Sequence, residues 1–181
     1  SMQGRVIAVF TQRIDPTRYF TRLIQLGQIG KSGETYAFDR FGKLLSESRF
    51  NEDLRKIGLI SEDQMSILTV SVRDPGGDMA SGFTPTVPRY QQPLTLMARE
   101  ATRGNSGLNV TGYRDYRGVT VFGVWTWNAR HGFGLTTEMD AEEALLSALR
   151  QVVQRARLDG HRAGLDRARP RPAAGRTASP N

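Results

Sequence analysis

A chain of 181 residues, 38% apolar and 24% charged, is long enough for one domain of about 150 residues and a tail. The absence of cysteine excludes disulfides, thiolate metal sites and cysteine nucleophiles, and no run approaches the roughly 18 apolar residues of a membrane helix. Of the net charge of +7, the segment from Arg150 onward carries +6 (eight arginines, two aspartates), so the body of the chain is near neutral and a nucleic-acid partner is not expected.

Ser1–Gly4 reads as a cloning remnant and linker, residues 5–157 as a single domain and residues 158–181 as a basic, Arg/Ala/Pro-rich tail. Arg5 to Arg13 alternates as a strand placed inside a sheet. Asp15-Pro16 opens a helix whose apolar stripe is Tyr19, Phe20, Leu23, Ile24 and Leu26. Gly27, Gly30 and Gly33 end that helix; because they follow a helix and not a strand, they read as turn punctuation, not a phosphate cradle. From Gly30 to Phe50 the pattern is a glycine turn, a strand, a second glycine turn and a second strand from Leu44. Asn51 begins a short capped helix, Ile67 to Arg73 returns to strand, and Asp74 to Pro93, with four prolines, is a long loop. Leu94 to Arg103 is a helix with Leu94, Met97 and Ala101 on its apolar side, stopped by Gly104-Asn105.

Gly112 to Asp140 reads as two or three antiparallel strands feeding a helix. Asp115-Tyr116-Arg117-Gly118 is a tight turn, with Asp115 bonding the backbone ahead and Gly118 supplying positive φ. Val119 to Trp127 is apolar on both alternating faces, the mark of a central strand covered on both sides. A second turn at Asn128 to Gly132 leads to another strand. Asp140 stands at the N-cap of a helix running from Ala141 to about Arg157, where Glu142 and Glu143 complement the macrodipole. Leu145, Leu149 and Val152 on that helix suit packing on the sheet or on the helix of a second copy, as a homodimer.

Two blocks carry a family resemblance. GKSGETYAFDRFGKLLSESRF, from Gly30 to Phe50, is similar to the GxxGExYxxDxxGxxLxxSR block of Cache domains, and the Gly112–Asp140 stretch with its final helix resembles their C-terminal half. The resemblance implies an α+β, PAS-like fold: a central antiparallel sheet of five or six strands curled around a cavity, flanking helices and a long C-terminal helix. It further implies an extracytoplasmic, periplasmic or cell-surface, sensory module of a bacterial signal-transduction receptor. The membrane-proximal module of double Cache receptors is the nearest kind, with the parent receptor's domains across the membrane as partners.

Catalysis is not expected. The two histidines, His131 in a turn and His161 in the tail, have no partner at ligand spacing, and no HExxH or GxSxG motif is present, so no metal and no cofactor is implied. The candidate ligand-binding residues are Tyr36, Ser46, Ser48, Arg49, Tyr113, Trp125 and Trp127. Arg49, flanked by hydroxyls at alternate positions, suits a carboxylate ligand; it equally suits pairing with Glu47, Glu52 or Asp53. Tyr113, Trp125 and Trp127 either wall a ligand or fill the core. Two readings follow: a sensor that binds a small organic molecule and relays a shape change through its last helix, or a module of the same fold with no ligand of its own, transmitting a signal from a distal domain.

Overall fold

In the computed structural model the described residues are 6, 8–12 and 20–167. They form an α+β protein: α1 (Phe20–Gln25), β1 (Glu34–Asp39), α2 (Asn51–Lys56), a single 3-10 turn (Arg89–Gln91), α3 (Leu96–Thr102), β2 (Gly107–Arg114), β3 (Thr120–Asn128), β4 (Phe133–Asp140) and α4 (Ala141–Arg167). The sheet is antiparallel throughout, in the order β1-β4-β3-β2. The turn chemistry accounts for the meander of the last three strands. Asp115 Oδ1 accepts from the amides of Arg117 (2.8 Å) and Val119 (3.0 Å), and Gly118 takes φ +86°. Asn128 O accepts from Gly132 N (2.8 Å) to close the second turn. β2 carries a bulge between Asn109 and Tyr113, where Asn109 Oδ1 accepts from the amides of Thr111 and Gly112.

Four strands stand where five or six are expected. The segment after β1 pairs only through isolated bridges, Phe38 with Leu44 and Lys43 with Ser71, and the strand expected at Ile67–Arg73 is reduced to Ser71 and its bridge from Arg73 to Leu94. The reason lies in competing partners: Ser46 Oγ accepts from Ala37 N (3.0 Å) and Ser66 Oγ from Ser48 N (2.7 Å), so side chains take donors that a ladder would use. The strand expected at 5–13 is absent among the described residues there, and Val6, Val9 and Phe10 are exposed; the rest of it, and the Asp15-Pro16 helix start, lie outside the described residues. α2 has no side-chain cap, whereas α3 is capped by Thr95, whose side chain accepts from Ala98 N. α4 runs on to Arg167, well past Arg157, through Leu158, Arg162, Ala163, Leu165 and Arg167, good helix formers that outweigh Gly160 and Gly164. No helix of the described residues is long and apolar enough to cross a membrane.

One face of the sheet is covered by α3, through the fully buried Met97, Ala98 and Ala101. Glu34, Tyr36 and Phe38 of β1, Thr136 and Glu138 of β4, Val121 and Trp125 of β3 and Tyr113 of β2 share this buried side. The other face is open at β2 and β3, where Leu108, Val110 and Val124 are exposed, so β3 is covered on one side, not two; at β1 it is covered, with Ala37 fully buried and Thr35 donating to Gly27 O just after α1. The chain divides into a unit ending at Ala144 and a second beginning at Leu145, where Leu145, Leu149 and Val152 are exposed.

Candidate functional site

The covered face of the sheet is built around carboxylates. β1 and β4 are in a register that sets Glu34 opposite Glu138, both buried on the side under α3. Two like charges opposite one another in a ladder repel, and tyrosines resolve the conflict. Glu138 accepts from Tyr36 OH (2.7 Å) and Tyr113 OH (2.5 Å). Glu34 accepts from Tyr116 OH (2.7 Å), Ser48 Oγ (2.7 Å) and Arg49 N (2.8 Å). The Tyr113 hydroxyl reaches Glu138 only because residue 123 of the intervening strand is glycine, since a Cβ there would collide with that hydroxyl.

A third carboxylate, Asp115, is also buried. Its Oδ2 accepts from Arg117 Nε (2.7 Å), and the same guanidinium reaches Asp140 Oδ1 (2.8 Å) while lying 3.7 Å over the Phe50 ring. Burial, then the charge of Asp115, pushes Glu138 up to about 8 against the opposing bonds from Tyr113 and Tyr36. Burial likewise raises Glu34 and Asp115 above the usual carboxylate range, against the help of Tyr116 and of Arg117 respectively. Burial lowers the affinity of Arg117 for its proton, and the anions around it, Asp115 first, more than reverse this. Tyr36 and Tyr116 are held far above the ordinary phenol value, chiefly by burial, and remain neutral donors.

A second set of bonds joins the turn before β1 to the start of α4. Glu143, in the first turn of α4, accepts from Lys31 N (2.8 Å), Ser32 N (2.7 Å) and Ser32 Oγ (2.5 Å), and Asp140 N donates back to Ser32 Oγ (3.1 Å). These bonds hold the Glu143 carboxyl below the usual range. The far side of the same turn is held by Arg49, whose guanidinium donates to the carbonyls of Gly33 and, at 3.5 Å, Gly30.

The residues singled out in the sequence are therefore dispersed over several roles. Tyr36 and Tyr113 meet at Glu138; Ser48 bridges Glu34 and Tyr116 (2.8 Å); Ser46 ties Ala37; Arg49 clamps the Gly30–Gly33 turn. Trp125 packs edge-to-face on Tyr113 within the core, its buried Nε1 unpartnered among the described residues, and Trp127 lies partly buried against the same cluster. The groove beside Arg49, about 610 Å³, also presents Glu47, Glu52 and Asp53, a poor setting for a carboxylate ligand. Sequence reasoning passed over Glu34, Glu138, Tyr116 and Arg117, and read Glu143 as a dipole effect alone. The available signal was glutamate inside strand patterns, ETYAFD and GLTTEMD, where that residue type is depleted. Comparison of the chain with family models, with curated proteins and with solved structures finds no match.

Proposed function

We propose that this chain is a Cache-type, PAS-like relay module of a bacterial signal-transduction receptor, extracytoplasmic and membrane-proximal, which transmits displacement into its last helix without catalysis and without a ligand in its aromatic core. One observation carries the reading: apart from Trp125 Nε1, the polar atoms of the candidate residues that a core ligand would use are spent on the protein itself. Tyr36 and Tyr113 bond Glu138, Ser48 bonds Glu34 and Tyr116, and Arg49 bonds the carbonyls of Gly30 and Gly33. The GxxGExY block then has a mechanical use. Chain arriving through α1 passes into a turn gripped on one side by Arg49 and on the other by Glu143 of the outgoing helix, so a shift of the turn loads α4 at its first residues. Such a relay moves a population only by the difference in free energy between its two arrangements.

The test is hydrogen exchange in the Glu143→Gln protein, with Glu142→Gln as control. Glu143→Gln is expected to speed exchange at the Lys31 and Ser32 amides and along the first turns of α4 together, and Glu142→Gln to do neither. Loosening of the turn with no change in α4 would sink the relay.

A further inference from the structure

A cavity of about 400 Å³, apart from the carboxylate core, is lined by Lys43, Arg73 and Arg89 with no carboxylate among its lining residues. Its size lies within the range of small-molecule sites. Ser71 and Thr69 add hydroxyls, and Leu59, Val70 and the ring of Tyr90 add apolar wall. The cations are only partly compensated by the fold. Among the described residues Lys43 Nζ donates to Thr69 O (2.9 Å) and Arg73 to Gln92 O (2.5 Å), and neither pairs with a carboxylate. Arg89 donates to Ser71 O (2.7 Å), Tyr116 O (2.8 Å) and Gln92 Oε1 (3.2 Å), all uncharged acceptors, and its buried Nε has no partner among the described residues. The anions whose fields reach Arg89 are already paired: Asp115 with Arg117 and Asp74 with Arg114. Burial, with Arg73 adding repulsion, lowers Arg89 to about 10.

A half-buried guanidinium that meets carbonyls but no carboxylate among the described residues is costly unless something neutralises it. The backbone beside the cavity is also strained, since Leu68, next to Thr69, takes φ +57° while its amide N–H donates to Leu44 O (2.8 Å). We infer that this cavity binds a phosphate-type dianion carried on a small apolar organic body, with Lys43, Arg73 and Arg89 meeting the charge and Tyr90 and Leu59 the body. Three cations exceed what a single carboxylate neutralises, and the guanidinium forks and hydroxyls match an oxyanion with several acceptor oxygens. The site stands apart from the relay reading, because its test is read at Lys43 and Arg73 and the relay's is read as exchange in α4.

The experiment is calorimetric titration of the full chain with phenyl phosphate, inorganic phosphate and benzoate, alongside amide shift mapping of the unsubstituted protein. Phenyl phosphate is expected to bind more tightly than either of the others, more weakly as salt rises, with shifts centred on Thr69, Ser71 and Tyr90. Lys43→Gln and Arg73→Gln should each weaken it by about tenfold or more, the scale of one charge-assisted bond, and Arg49→Ala should leave it unchanged. Arg89 is not substituted because it also holds two backbone carbonyls. Absence of heat and of shifts overturns the site; benzoate binding as tightly as phenyl phosphate overturns the dianion; shifts centred on Ser48–Asp53 move the ligand to the other groove and overturn it too.

Discussion

The two ends of β1 handle charge in opposite ways. At the Glu34 end, opposite Glu138 and next to the start of α4, three buried carboxyl groups meet three tyrosines, a serine and Arg117, and their oxygens are met by donors from within the fold. At the Asp39 end, opposite Phe133, the chain turns through Lys43 into a region where Lys43, Arg73 and Arg89 crowd together and no carboxylate lines the space between them. Saturation of the first end suits a part that holds shape and passes it on. Surplus charge at the second suits a part that waits for a counter-charge.

If the Glu34 end is saturated, removing one member must hurt most where its partner stays buried. Arg117→Ala leaves Asp115 buried without its cation and strips the stack on Phe50, and the expected loss is about 3–5 kcal/mol in urea denaturation. Arg117→Lys should recover only part of it, since an ammonium cannot bridge Asp115 and Asp140 in one planar fork. A loss no larger than that of a surface ion pair would mean the end is not closed at all.

The next effect is one of pH. Unfolded, Glu138 releases its proton near 4.5; folded, only near 8. Between those values the folded state binds more protons, so this contribution to stability is complete below 4.5 and is lost as pH rises through 8. The loss is on the order of a few kcal/mol, and Glu34 and Asp115, raised as well, act with the same sign. Glu143 and Glu100, lowered by their hydrogen bonds, act oppositely and at more acid pH. Denaturation at about pH 5, 7 and 9 should therefore show declining stability, flattened by Glu138→Gln. Tyr116→Phe comes third: it removes the hydroxyl shared by Glu34 and Ser48, with an expected cost of about 1–3 kcal/mol at neutral pH.

The difference between the ends was only half legible in the sequence. The two turns and the existence of β3 and β4 are legible because Asp115, Gly118, Asn128 and Gly132 act within a few residues of themselves, whereas most of β2 precedes Gly112 and the second cover expected on β3 is absent. The Leu44–Phe50 segment was misread as a strand because its alternating serines, which look like one polar face, bond backbone and side chains in place of a neighbouring strand. Register was the larger gap. Nothing local says that Glu34 faces Glu138, more than a hundred residues away, or that Arg49 points back to Gly33 while Arg89 reaches Tyr116 O. Long-range pairing of polar groups is specified by the whole fold, and a lone strand glutamate marks only that such a pairing exists.

The smallest effect should also have the opposite sign. Among the described residues Arg73 lines the cationic cavity, pairs with no carboxylate and repels Arg89, and its side-chain bond to Gln92 O is one that a glutamine amide can replace. Arg73→Gln is therefore expected to leave stability within about 0.5 kcal/mol of the parent or to raise it slightly, whereas a positional match at the other end costs several times that. A side chain that adds nothing to folding suits a role toward a partner and not toward the fold, in line with the trade-off between stability and function. Thermal denaturation in a phosphate-free buffer decides the matter: a clear destabilisation by Arg73→Gln would show that the cation is already neutralised within the protein, and the contrast between the two ends of β1 would disappear.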